Sequence, residues 1–222
     1  VIAKTIINKI FSPLKLSDPA SAALAKMDAW HTTCLPVLEE TTERVIGTVL
    51  LDDIVDLQDE SIPVSALDLK PVISVYEHQH LFEAARLMLL HEIRLIAVTD
   101  ETDRYLGVIE KKSVLEEISY MLNISVQGSV ITIEIPSDDY SLTEPVHLIE
   151  SEKANILGVT AQQIDKAIPV IQVSFKLNVR DTSVISSALR RHGYNIISED
   201  NSDLLNVDFS DRADELIRYL DI

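Results

Sequence analysis

The sequence predicts an α+β protein: two consecutive β-α-β-β-α repeats, then one β-α-β-β-α-β unit. Two observations carry this. The first is an internal repeat, the feature to seek before any other. Residues 35–57 align without a gap on 95–117, placing Leu35 on Leu95, Val37 on Ala97, Arg44 on Arg104, Gly47 on Gly107 and Val49 on Ile109. The second is a change of pattern after Met121, where apolar and polar residues begin to alternate.

Each repeat has the same grammar. An Ala-rich helix comes first; Ala23–Met27 matches Ala84–Met88 once one residue is skipped. Asp18 is expected to cap the first of these helices, with Pro19 at its first position. A short β-branched strand follows, typical of strands buried on both faces. A charged turn comes next (39–44 and 99–104), then a second strand at the glycine, and a short helix closes the unit. A unit of roughly 55–60 residues is marginal alone, so the two copies should pack together.

The second half reads differently. In 129–136, Ile131, Ile133 and Ile135 share one face while Thr132 and Glu134 take the other. In 171–179, Ile171, Val173, Phe175, Leu177 and Val179 alternate with polar residues. These are half-buried antiparallel strands with one wet face. Between them, Ser141-Leu142-Thr143-Glu144 fits a capping box with Pro145 in the first turn, and Ile156–Thr160 reads as a strand. Asp181 should cap the next helix and Gly193 should end it. Tyr194–Ser198 makes the fourth strand. The tail adds a strand, Leu204–Phe209, and an amphipathic helix from Asp211. The expected divisions are 1–66, 67–125 and 128–222.

Composition narrows the function. Nineteen basic against 36 acidic residues give a net charge of −17. That field repels phosphate backbones and anionic bilayers, so neither nucleic acid nor membrane is an expected partner. The one cysteine, Cys34, excludes an intrachain disulfide and fits a reducing cytoplasm. It lies in an apolar run and reads as a buried, inert thiol. No signal-peptide pattern opens the chain, which begins at Val1 and leaves room for a longer parent. His78 and His80 flank a helix start beside Glu77, but no partner cysteine or HExxH pattern accompanies them, and no metal site is expected. With no Walker loop, G-x-S-x-G or C-x-x-C, no catalytic residues are expected and the protein is read as not an enzyme.

Leu35-Pro36-Val37 before the turn, and Gly47-Thr48-Val49-Leu50-Leu51-Asp52-Asp53 after it, resemble the CBS motif, over about residues 5–122. Two such motifs form a Bateman module. The later β-α-β-β-α-β order is ferredoxin-like and over about residues 128–199 resembles an ACT domain. A CBS pair followed by an ACT domain is also the layout of the acetoin-utilisation accessory proteins.

The resemblance implies a non-catalytic, ligand-sensing homodimer that binds an adenosine-containing molecule such as adenosine, AMP or S-adenosylmethionine between its CBS motifs. In the family a carboxylate opening the last helix holds ribose hydroxyls, and a Thr three residues earlier contacts phosphate. Asp53 and Ser113 take the first position in the two repeats; Leu50 and Glu110 take the second. Thr33 and Pro36 lie where relatives contact the base. Asp53 also has a simpler reading, a first-turn carboxylate favoured by the helix dipole. ACT domains that bind amino acids often carry Asp-x-Pro-Gly-x-Leu. Here 137–142 lack that glycine, and Asp138 and Asp139 would oppose an amino acid's carboxylate. Two rival readings remain: a dimerisation module with empty pockets, and an enzyme with an unrecognised site.

Overall fold

The computed structural model describes residues 1–201. The chain forms two compact units, Val1–Ile118 and a second beginning at Ser119. The expected tail strand and helix lie outside the described residues.

The first unit contains β1 (Leu14–Lys15), α1 (Ala20–Ala29), β2 (Cys34–Leu38) and β3 (Val45–Leu50). The second copy supplies β4 (Ser74–Tyr76), α2 (Leu81–Leu90), β5 (Leu95–Thr99), β6 (Tyr105–Glu110) and α3 (Lys111–Met121). Each copy forms a three-stranded sheet, β1-β2-β3 or β4-β5-β6. The first pair in each is parallel and the second antiparallel. One core joins the copies: Leu14, Met27, Leu35 and Ile54 of the first pack with Leu95 and Val108 of the second.

The copies meet about a pseudo-twofold axis. Arg44 and Arg104 face each other in an antiparallel bridge. On either side, Val45 N–H donates to Asp103 O at 3.1 Å and Tyr105 N–H to Glu43 O at 3.0 Å. The lead-in segments are exchanged. Asn8, ahead of the first copy, pairs with Val108 of β6 through bonds of 2.7 and 3.0 Å. Lys70, ahead of the second copy, pairs with Thr48 of β3 at 2.8 and 3.0 Å. Each lead-in thus covers a strand edge that would otherwise present unpaired backbone. The repeated glycine makes room for the crossing. A Cβ on Gly107 would sit 2.4 Å from Ile7 Cγ2 and 2.6 Å from Asn8 O, and one on Gly47 would sit 2.9 Å from Leu69 Cβ.

Several local expectations need correction. The ungapped alignment of the repeats is one residue out in the first hairpin strand. Strand pairing matches Val37 with Val98, since these oppose Gly47 and Gly107 respectively. The gap lies in the turn, which has six residues in the first copy (39–44) and five in the second (100–104). Asp18 does not cap α1; its Oδ2 accepts the Lys15 N–H at 3.0 Å. Pro19 is the N-cap, and the free N–H groups of Ala20 and Ser21 find Ile62 O and Glu60 O, both at 2.9 Å.

The closing helix of the first copy is only a 3-10 turn, Leu51–Asp53. Asp52, Asp53 and Asp56 repel at helical spacing and β-branched Ile54 and Val55 interrupt, whereas Lys112 and Glu116 of α3 pair at 3.7 Å. Finally, 141–144 is no capping box. Ser141 Oγ accepts the Thr143 N–H at 3.3 Å, but Glu144 turns away to Tyr194 Oη at 2.9 Å and His192 Nδ1 at 3.1 Å.

The second unit runs β7 (Ser129–Pro136), α4 (Thr143–Ser151), β8 (Ile156–Gln162), β9 (Val170–Leu177), α5 (Ser183–Arg191) and β10 (Asn195–Asn201). Its antiparallel sheet has the order β10-β7-β9-β8, the ferredoxin-like order of an ACT-like domain. The alternation resolves as read: Ile131, Ile133, Val173, Phe175 and Leu177 are buried under Ile149, Ile185 and Leu189 of the helices. On the other face Thr132 and Ser174 join hydroxyls at 2.8 Å. The N-cap of α5 is Thr182 rather than the expected Asp181; Asp181, one residue earlier, accepts the Ser183 hydroxyl and its N–H, the latter at 2.9 Å, and these hold its carboxyl below the usual range. Gly193 N–H donates to Arg190 O and Tyr194 N–H to Leu189 O, both at 3.1 Å, which is a Schellman ending.

Candidate functional site

The residues singled out in the first copy are tied together by backbone. Thr33 stands exposed just before β2, and its carbonyl accepts the Leu51 N–H at 2.8 Å, fastening the entry of β2 to the exit of β3. Pro36 is buried in β2 opposite Thr48. Thr48 in turn pairs with Lys70 of the exchanged lead-in, and Lys70 Nζ reaches Asp53 Oδ1 at 3.4 Å. A second carboxylate, Asp68, lies 2.9 Å from the same ammonium and, with Asp53 behind it, holds Lys70 above its ordinary range. Asp53 Oδ2 is buried and, among the described residues, has no hydrogen-bond partner.

Ser113 sits in the first turn of α3, half-buried, at the position equivalent to Asp53. It belongs to the other half-site and does not join the first three residues. There the exchanged lead-in supplies Asn8, whose Nδ2 donates to Glu110 Oε1 at 2.7 Å. In both copies a lead-in side chain engages a carboxylate, but at non-equivalent positions: Asp53 lies in the turn after β3, whereas Glu110 is the last residue of β6. The half-sites also differ in charge, with an ammonium in one and an amide in the other.

Three residues of this neighbourhood were not expected from the sequence. Arg94 and His31 border both cavities on the helical side of this unit, of about 580 and about 560 Å³. Thr33 lines only the smaller, beside Met27 and Leu51. Arg94 is the true counterpart of Thr33, because Cys34 and Leu95 hold equivalent places opposite Leu50 and Glu110. The signal was the shorter turn of the second copy, which shifts every residue before it by one. Lys70 was also overlooked, although it is a base flanked by Asp68 and Pro71 in an acidic chain.

Other candidates have local roles. Cys34 is 4% exposed, and burial pushes its thiol up to about 11, which leaves little thiolate near neutral pH. His80 Nδ1 accepts the Phe82 N–H at 3.2 Å and so caps α2, while His78 stacks on Tyr76. No helix among the described residues is long and apolar enough to cross a membrane.

Parts of the chain are similar to known proteins. The chain is 26% identical over 87 residues to the UPF0053 protein MG146 of Mycoplasma genitalium, a match covering 38% of this chain and 20% of that one. It thus spans about a fifth of that relative's length. Among solved structures, a CBS domain pair/ACT domain protein of Thermotoga maritima is 24% identical, with a TM-score of 0.48 over 53% of this chain and 96% of the other. The CBS domain of a bacterial CNNM/CorC family Mg2+ transporter in complex with ATP is 17% identical, with a TM-score of 0.43 over 53% and 86%. The CBS domain model matches residues 3–60 and 64–120, one match for each repeat. Together these cover more than half of the 222 residues, and the chain belongs to the CBS-domain family.

Proposed function

We propose that this protein is a non-catalytic ligand sensor whose first half-site takes an adenosine-bearing small molecule, with adenosine, AMP and S-adenosylmethionine as candidates. CBS pairs are in general regulatory, ligand-sensing modules. The observation that carries the specific reading is Asp53 Oδ2, a buried carboxylate oxygen without a donor among the described residues. Leaving such an acceptor unsatisfied is costly, and a ribose diol supplies the missing O–H. The shortness of the 3-10 turn also supports this reading over a helix-dipole role for Asp53, since three residues sum to little dipole.

In this reading Thr33 and Pro36 face the base, and Ser113 is the weaker counterpart of Asp53. Leu50 offers no hydrogen bond to phosphate, and Glu110 in the second copy is of the wrong sign. Adenosine and AMP should therefore bind more tightly than ATP. Calorimetry with these four compounds tests the order. Asp53→Ala should weaken the best of them by about 1.5–3 kcal/mol, roughly 10- to 150-fold, with the fold intact. Equal affinity in both proteins would return Asp53 to a structural role. Absence of binding by all four would favour the dimerisation module with empty pockets.

The divisions 1–66, 67–125 and 128–222, a cytoplasmic setting and the broad layout of the acetoin-utilisation accessory proteins complete this reading. So does a homodimer, for which the outer strand β8 offers a sheet edge with no partner strand among the described residues. Light scattering should give twice the chain mass at micromolar concentration, and a monomer there removes the claim.

A further inference from the structure

We propose that His80 is a pH-sensitive fastener for the strap that precedes the first repeat: protonation of its imidazole loosens residues 1–6 from the start of α2. The strap, which contains the 3-10 turn Ala3–Ile6, crosses the turn between β4 and α2. Ile2 and His80 form an antiparallel bridge there. Around it, Ala3 N–H donates to Gln79 O and Lys4 N–H to Glu77 O, both at 2.9 Å, and Leu81 N–H donates to Val1 O at 3.1 Å. Ala3 and Leu81 are fully buried.

His80 is the N-cap of α2, and its Nδ1 accepts the Phe82 N–H at 3.2 Å. An imidazole nitrogen accepts only while it carries no proton. Histidine is the side chain that ordinarily titrates between about pH 5 and 8, and His80 is exposed to solvent. Protonation turns Nδ1 into a donor that confronts the Phe82 N–H, and it sets a cation on the positive end of α2. The cap therefore holds in the neutral state and is lost as pH falls. Neighbouring charges do not reverse that sign. Glu77 is engaged by Lys4 of the strap at 2.8 Å and Glu83 by Arg86 at 2.6 Å. His78 stacks on Tyr76. The remaining charged group of the strap, the Val1 amino group, has the same sign as a protonated His80.

The first copy repeats the crossing without a titratable group. Pro63 bridges Pro19, the N-cap of α1, and Val64 N–H donates to Asp18 O at 2.8 Å as Ala3 N–H does to Gln79 O. The free N–H groups of Ala20 and Ser21 end on Ile62 O and Glu60 O. Backbone carbonyls accept at any ordinary pH, so the crossing on α2 responds to acid and the one on α1 does not. The strap leads into Asn8, which pairs with Val108 of β6. His80 borders neither cavity beside the half-sites, so this proposal and adenosine binding fail separately.

Amide hydrogen exchange by NMR tests it on the whole chain at about pH 7.5 and about pH 5.5, the two sides of histidine titration. Rates are expressed as protection relative to the intrinsic rate at each pH. Protection of Ala3, Lys4, Leu81 and Phe82 should fall about fivefold or more at the lower pH. Ala20, Ser21, Val64 and Val108 should keep theirs. His80→Ser leaves a cap that does not titrate and should remove the pH response, whereas His78→Gln should retain it. Equal protection of the strap at both pH values would overturn the proposal. So would a loss that persists in His80→Ser, because another group would then be titrating. A parallel loss at Val64 and Val108 would overturn it too, because the whole unit and not the strap would be loosening.

Discussion

Gly107→Ala should destabilise the first unit by about 3 kcal/mol or more. Overpacking costs about 1–3 kcal/mol, and a side chain held at an unfavourable φ adds about another 1–3 kcal/mol. Both apply. The residue's φ is +143°, and the new Cβ would meet Ile7 Cγ2 at 2.4 Å and Asn8 O at 2.6 Å. Asn8 O is not free to retreat, because it accepts the Val108 N–H at 3.0 Å. Relief therefore requires the lead-in to leave β6, which also withdraws Asn8 from Glu110. Trp30, the chain's one tryptophan, packs edge-on to Phe11 at 5.1 Å and reports this unit by fluorescence. Its urea midpoint should fall sharply in the variant. An unchanged midpoint would mean that the lead-in crossing adds nothing to stability.

Phe175→Ala should cost about 3–5 kcal/mol in the second unit. Phe175 is fully buried in β9, among Ile131, Ile133 and Ile185. Its removal leaves a void that rigid sheet neighbours cannot close, so the lost contacts add to the lost transfer energy. Because each unit has its own core, the loss should appear in far-ultraviolet circular dichroism while the Trp30 fluorescence midpoint stays in place. Coincident shifts of both signals would show that the units unfold as one.

The elements were legible where a single physical rule decides. Strict alternation in 129–136 and 171–177 left one register for burial, and the structure adopts it. The glycines at 47 and 107 marked the second hairpin strand because only a residue without Cβ admits the exchanged lead-in. Reading failed where two partners compete for one group. The local pattern makes Glu144 a capping residue, but Tyr194 and His192 reach it from sequence positions about fifty residues away. Asp18 lost α1 to the carbonyls of Glu60 and Ile62 for the same reason.

The candidate site shows the same division. Thr33, Pro36 and Asp53 were visible through the resemblance of this stretch to the CBS motif. Lys70 became part of the site only through the crossing of the lead-ins, which no local pattern announces. Arg94 was hidden by a one-residue slip. An ungapped alignment keeps Arg44 on Arg104 and Gly47 on Gly107, and so conceals that everything before the turn has moved.

The exchanged lead-ins make each repeat the donor of its neighbour's missing edge. In assembly terms the first unit is a domain-swapped dimer whose two subunits happen to share a peptide bond. Covalent linkage replaces an association that depends on protein concentration with an intramolecular one, at an effective concentration on the order of millimolar. Expressed as separate fragments, the halves would be reciprocal templates, each completing the other's sheet and neither complete alone.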